Sequence, residues 1–283
     1  MNKVKIVADS TCDLSEELLR AYDITVIPLC IVMQEKSYFD VEEITPDQIY
    51  SWADANRSTP KTAAASFEKS YQILKPFMDD GREIIFIGIS SQMSTTCNVL
   101  RLIGEQNGYD KLYVIDSQNL STGIGLQVLR AAELSEQGVS AQEIVRIIEE
   151  CRDKVRASFV VDTLTYLSRG GRCTAVTALM ANAFRIHPMI AVKDGAMGVA
   201  RKYRGKLPVA ITNYVNELEP QLNGADRKRV FITHSGCDEA IINAVYDIIN
   251  RLGLFDEILI TRAGGVISSH CGPGTLGVLF YMK

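Results

Sequence analysis

The sequence predicts an α/β protein. An N-terminal parallel-sheet α/β domain is followed by a C-terminal α+β domain. Three observations point there. Strand-like apolar runs alternate with helix-like segments through the first half, as expected of a parallel sheet covered by helices. The runs at 83–89 and 112–115 are almost continuously apolar, which suits strands buried on both faces. Beyond about residue 155 the pattern changes. Strand-like segments at 189–192 and 199–203 flank Asp194-Gly195, a dipeptide that favours a tight primed hairpin turn. The expected division is therefore 1–155 for the α/β domain and 156–283 for the α+β domain.

Residues 4–8 form a short apolar strand ended by Asp9-Ser10-Thr11-Cys12-Asp13. Ser15 precedes a helix with Glu16 and Glu17 in its first turn, where acids complement the helix dipole. Residues 24–33 read as one strand, with Pro28 at an edge or bulge. Thr45-Pro46-Asp47 starts a helix with proline at its first position. Residues 57–62 read as a polar loop, and Phe67, Tyr71, Leu74 and Phe77 then recur at helical spacing. Ser90-Ser91-Gln92-Met93-Ser94-Thr95-Thr96 follows a strand and opens a helix through Val99, Leu102 and Ile103. Asp116-Ser117 and Ser121-Thr122-Gly123 make a similar junction, and Ser140-Ala141-Gln142-Glu143 has capping-box spacing. In the second half, a strand at 159–161 leads to a helical stretch from 164, interrupted by Arg169-Gly170-Gly171-Arg172. A helix from 209 is expected to stop before Pro220. A strand at 230–233, a helix at 238–252 and strands at 257–261 and 276–281 complete the chain.

Composition narrows the function classes. With 283 residues, 47% hydrophobic and 23% charged, the chain can bury a sizeable core without disulfides or metals. A net charge of −4 argues against a nucleic-acid partner. No apolar run approaches the ~18 residues of a membrane span, and Met1-Asn2-Lys3 begins no signal-peptide pattern. The expected location is cytoplasmic. Seven cysteines without a C-x-x-C pair and three histidines offer no metal framework, so no metal site is expected.

Hydroxyls concentrate at three strand-to-helix junctions, at 9–11, 90–96 and 116–122. In a parallel sheet these lie together at the carboxyl edge, where ligands bind and helix N-termini favour anions. Neither a P-loop nor a complete dinucleotide fingerprint is present: Gly123-Ile124-Gly125 is followed by Val128 where the third glycine would stand. A carboxylate held mainly by neutral donors fits better than a polyphosphate. Each such residue also has a plain alternative role as a helix cap. Ser268-Ser269-His270-Cys271-Gly272-Pro273-Gly274-Thr275 reads as a glycine-rich loop that approaches a ligand closely. Its His270 or Cys271 defines the alternative reading, a small-molecule hydrolase or phosphotransferase. No catalytic triad or nucleophile elbow accompanies them.

Taken together, these motifs resemble the DegV family of fatty-acid-binding proteins, which includes the FakB proteins. The resemblance is carried by Asp9-Ser10-Thr11-Cys12-Asp13-Leu14, Thr59-Pro60-Lys61-Thr62, Ile89-Ser90-Ser91-Gln92-Met93-Ser94, Val161-Asp162-Thr163-Leu164, Arg169-Gly170-Gly171-Arg172 and His270-Cys271-Gly272-Pro273-Gly274-Thr275-Leu276-Gly277. Their order and spacing run nearly end to end. The resemblance implies a non-enzymatic carrier for one long-chain fatty acid, such as palmitate, in an apolar tunnel between the two domains, with no cofactor. It implies that Thr62 and Ser94 hold the carboxyl group, with His270 and Arg172 (or Arg169) completing the polar site. It further implies a fatty-acid kinase as partner, docked near Arg204, and an acyltransferase that uses the acyl phosphate. Two positions depart from the family pattern: Thr95 replaces a glycine, and Ala63-Ala64-Ala65 replaces Ser-Gln-Pro, which raises helix propensity after Thr62.

Overall fold

A computed structural model describes residues 4–173, 176 and 186–283. Met1-Asn2-Lys3 lies outside the described residues. The first half builds a four-stranded, wholly parallel sheet in the order β2-β1-β6-β7, from β1 (Val4–Asp9), β2 (Thr25–Ile27), β6 (Glu83–Gly88) and β7 (Leu112–Asp116). All six residues of β1 are buried, as a strand covered on both faces requires. Between β2 and β6 the chain adds a small antiparallel sheet, β4-β3-β5, from β3 (Cys30–Met33), β4 (Lys36–Phe39) and β5 (Lys61–Ala63).

The expected strand at 24–33 is thus two strands in two sheets. Proline supplies no ladder donor, so the chain changes sheets at Pro28. The expected polar loop at 57–62 is also corrected, because Lys61–Ala63 pairs with β3. Those backbone bonds override the helix propensity of the alanines.

Helices α1 (Glu16–Ala21), α2 (Pro46–Asn56), α3 (Phe67–Asp79) and α4 (Thr96–Gln106) follow, with Ser15, Thr45 and Ser66 accepting N-cap bonds at the first three. Thr45 and Gln48 close a reciprocal capping box. Helix α5 (Thr122–Glu136) has eleven of its fifteen residues buried, which a helix with one solvent face could not reach. It lies between the parallel sheet and a second sheet, touching β1 and β6 on one side and β8 (Val155–Val160) and β13 (Leu276–Met282) on the other. Helix α6 (Ala141–Cys151) closes the first half.

The second sheet has six strands in the order β10-β9-β8-β13-β11-β12, adding β9 (Ile186–Lys193), β10 (Ala196–Arg204), β11 (Ala225–His234) and β12 (Glu257–Arg262). Only β11 and β12 pair in parallel. Period-two alternation divides its side chains. Ala157, Phe159, Phe231 and Leu279 join the core shared with the first half. Val160, Val230, Ile232, Val278 and Phe280 join a second core, under α8 (Leu207–Asn223) and α9 (Glu239–Arg251). Helix α8 does not stop at Pro220. Its buried series Ala210, Ile211, Tyr214, Val215, Leu218 and Leu222 continues past it. The proline sits in the last turn, where a single lost bond is outweighed by burial of Leu222.

The glycine-rich segment is corrected as well. Gly265–Cys271 is a helix, α10, and follows α7 (Thr165–Gly170) in space, against which it rests. His270 and Cys271 therefore stand on a helix rather than a loop. Among the described residues, no helix is long and apolar enough to cross a membrane.

Candidate functional site

A cavity of about 290 Å³ opens at the carboxyl edge of the parallel sheet, close to the ~300 Å³ lower bound for ligand pockets. Its walls come from both halves of the chain. The parallel sheet contributes the loop after β6 and Leu120. The small sheet contributes Leu29 and Thr62–Ala64. The second half contributes Arg172, Met197 on β10, and Val266, Ile267, His270 and Cys271 on α10. Thr62, Ser94, Arg172 and His270, expected to form a polar site, thus line one cavity. Arg204 does not. It lies exposed at the far end of β10, seven positions beyond Met197 and some ~23 Å along the strand.

Thr62 and His270, 208 positions apart, meet at 2.7 Å from Oγ1 to Nε2. Burial and the positive charge of Arg172 push His270 down to about 4, so the ring is neutral at physiological pH. Its Nδ1 is buried without a partner. An unpaired acceptor is the cheaper alternative to an unpaired N–H, which places the proton on Nε2. His270 then donates to Thr62 Oγ1, and the threonine hydroxyl is left free to donate into the cavity. Gly170 makes this arrangement sterically feasible: a Cβ there would stand 2.2 Å from His270 Nδ1. From sequence, Gly170-Gly171 reads as the interruption of the helical stretch from 164. Only Gly171, with φ +69°, has the backbone of a terminator.

Ser94 follows a turn in which the Met93 and Ser94 amides donate to the Ser90 carbonyl at 2.9 and 3.0 Å. Its hydroxyl lies 2.9 Å from Thr96 Oγ1 and accepts from the Thr96 amide at 3.3 Å. With Thr96 as hydroxyl donor, the Ser94 proton is also left free to turn into the cavity. Thr95 sits at φ −89°, outside the region that calls for glycine, so its departure from the family pattern costs no backbone strain. Arg172 donates to Gly170 O at 2.9 Å and leans on Met93 O at 3.4 Å, which keeps its guanidinium at the cavity rim. Arg169 instead turns toward Arg57 O, away from the cavity.

Of the three hydroxyl-rich junctions, only the one at 90–96 brings hydroxyls to the cavity, and the one at 116–122 contributes Leu120 alone. The other two are satisfied internally. Ser10 donates to Asp40 at 2.8 Å, Thr11 donates to Asp9, and Ser121 donates to Asp13. Thr122 pairs with Thr233 at 2.7 Å. Asp13 and Asp40 also accept, each at 2.8 Å, from the amides of Gly264 and Gly265, and so hold the start of α10. Sequence reasoning missed these two anchors, whose only signal was a pair of acids flanked by apolar residues.

Cys271 lines the cavity, but burial pushes its thiol up to about 12. A thiol that stays protonated is no nucleophile at neutral pH, which removes the basis of the Cys271 reading. A second, smaller cavity of about 20 Å³ shares Leu120, Ile267 and Cys271 with the first and runs inward toward Phe159 and Thr233. The site as a whole therefore has a polar mouth of donors and an apolar interior. No group of three or more His, Cys, Asp or Glu side chains suited to a metal is found among the described residues.

Comparison with known proteins shows which family the chain resembles. Residues 3–283 match the family model described as "Uncharacterised protein, DegV family". A DegV domain-containing protein of Clostridium perfringens is 37% identical over 205 residues, covering 72% of this chain and 74% of its own. A DegV-family protein from Thermus thermophilus, described as binding fatty acid, superposes with a TM-score of 0.90 at 30% identity over 99% of both chains. A stearic-acid-binding protein from Eubacterium ventriosum superposes with a TM-score of 0.85 at 25% identity, over 99% of this chain and 98% of its own.

Proposed function

The chain belongs to the DegV family, and from that premise we propose that it binds one long-chain fatty acid in the cavity between its two sheets. The carboxylate is held at the mouth by Thr62, Ser94 and Arg172, with His270 acting through Thr62. The acyl chain runs inward past Leu120 and Ile267. The single observation that carries this reading is the meeting of Thr62, Ser94, Arg172 and His270 at one cavity whose remaining wall is mostly apolar.

The energetics support it. Burying an acyl chain contributes ~0.8 kcal/mol per methylene, hence a gross ~10 kcal/mol for some sixteen carbons before ordering costs. A carboxylate entering such a site must keep its hydrogen bonds, and two hydroxyls freed to donate and a guanidinium meet that need. The chain supplies affinity and the polar mouth selects the head group. Nothing in the set performs covalent chemistry, so the role is that of a carrier.

The carrier reading extends to a soluble, cytoplasmic protein that presents the bound acid to a fatty-acid kinase, with an acyltransferase downstream. Arg201, Lys202 and Arg204 are exposed along β10, an edge strand, and form the surface we assign to that contact. The same charges also protect the strand edge from pairing with other chains.

Native mass spectrometry of gently purified protein, followed by solvent extraction, tests the central reading. A co-purifying C14–C18 acid in about one-to-one ratio is expected. A protein that stays empty and takes up no added palmitate overturns it.

A further inference from the structure

Ser90 has the composition of a ligand-binding hydroxyl, yet it does not line the cavity. It is fully buried, and its Oγ donates to the Gly195 carbonyl at 2.6 Å, across 105 positions and between the two halves of the molecule. The same Oγ accepts from the Gln92 amide at 3.2 Å, and the Ser90 carbonyl accepts from Met93 and Ser94. Three turn bonds of the loop that carries Ser94, from the Gln92, Met93 and Ser94 amides, thus end on one residue, and that residue is tied to the opposite lobe.

The other partner is equally constrained. Asp194 and Gly195 have φ +51° and +78°, the paired positive values of a primed two-residue turn between β9 and β10. A Cβ at 195 would stand 2.6 Å from Ser90 Oγ and 3.4 Å from Gln92 Cγ. Glycine is therefore required twice, for the turn and for the approach of the loop. Two residues beyond, Met197 forms part of the cavity wall facing Ser91–Thr95. The hairpin tip closes over the cavity and grips the loop on the other side.

We infer that the Ser90–Gly195 hydrogen bond is a latch between the lobes that fixes the 90–95 loop, making Ser90 and Gly195 positioning residues for the Ser94 hydroxyl. The consequence for binding rests on the fatty-acid reading above; the latch itself does not. With the latch broken, the loop loses the tie that holds Ser94 against the carboxylate, and the hairpin tip is released from its seat.

Ser90→Ala tests this with two readouts. In the ligand-free protein, native-state hydrogen exchange of the Met93 and Ser94 amides should accelerate about tenfold, because their bonds run to the Ser90 carbonyl, which the substitution retains. Unchanged exchange overturns the latch whatever the ligand. In the loaded protein, palmitate release should be about tenfold faster in Ser90→Ala, but within about twofold of its parent when Ser94→Ala is already present. An equal effect in both backgrounds overturns the positioning role. Ser135→Ala, which removes a buried hydroxyl bond to Val4 O at 3.2 Å away from the cavity, should move neither readout. A wild-type protein that binds no palmitate overturns the functional reading instead, and the exchange result then stands alone.

Discussion

His270 draws its role from what it cannot do. Burial holds it neutral at physiological pH, with the ring pushed down to about 4, so it donates one hydrogen bond and no charge. In the proposed binding mode its contribution reaches the carboxylate through Thr62, 2.7 Å away. Hydrogen bonds to a charged group are worth ~1.5–3 kcal/mol each, so Thr62→Ala and Ser94→Ala should each weaken palmitate binding by about tenfold or more. Calorimetric titration checks this, and thermal unfolding should remain cooperative. A second residue-scale prediction concerns Asp13. Burial pushes its carboxyl up to about 8, so the folded protein binds a proton there that the unfolded chain releases near pH 4. That contribution is fully present below the unfolded value and is lost as pH rises through about 8. His270 and His234, both lowered by burial, act in the opposite direction but only below about pH 6.5. Asp40, also raised by burial, acts in the same direction as Asp13. Between pH 6.5 and 8, stability should therefore fall, by up to about 2 kcal/mol from Asp13, and Asp13→Asn should flatten the slope. Melting scans across that window would reveal either outcome.

At the scale of elements, α10 is the part that brings distant sequence to the site. Its first residue, Gly265, lies against the small sheet so closely that a Cβ would stand 2.6 Å from Ile31 Cδ1 and 2.7 Å from Asp40 Oδ1. Asp13 and Asp40 hold its first amides. Val266, Ile267, His270 and Cys271 then face the cavity along one side of two turns. Gly265→Ala should cost about 1–3 kcal/mol, the usual range for overpacking a buried contact. Urea titration measures that loss. The small sheet is the partner in this arrangement, since β5 carries Thr62 and β3 holds β5 in register through Ile31 opposite Thr62.

For the whole molecule, the seam between the sheets matters most. One core runs from the parallel sheet across α5 and onto the inner face of the six-stranded sheet. Arg229, 6% exposed, adds a polar tie at its edge: it reaches Glu133 on α5 at 2.8 Å, Glu257 on β12 at 2.9 Å and the Tyr22 hydroxyl at 3.5 Å. Removing a buried charge from such a network leaves its partners uncompensated. Because Glu257 is 41% exposed, Arg229→Ala should cost about 2 kcal/mol, below the 3–5 kcal/mol of a fully buried pair. With the core continuous, chemical denaturation should remain a single transition in both wild type and variant.

Much of this was legible in sequence because it is local. Apolar runs marked β6 and β7, cap signals marked α2 and α6, helical spacing marked α3, and Asp194-Gly195 marked a hairpin, since each depends on neighbours a few residues away. Motif order likewise pointed to Thr62, Ser94, Arg172 and His270. Non-local pairing was not legible: the division of 24–33 at Pro28, the strand at Lys61–Ala63 and the passage of α8 through Pro220 all follow from partners distant in the chain. The same limit applied to the hydroxyl junctions. Composition made Ser10, Thr11, Ser90 and Ser94 equivalent, and only the tertiary structure separated them. The first three find buried partners in Asp40, Asp9 and Gly195, while Ser94 faces the cavity. By itself the sequence determined which groups could bind a carboxylate. The fold decided which of them are free to do so, because a hydroxyl already engaged by a buried acceptor has no proton left to donate.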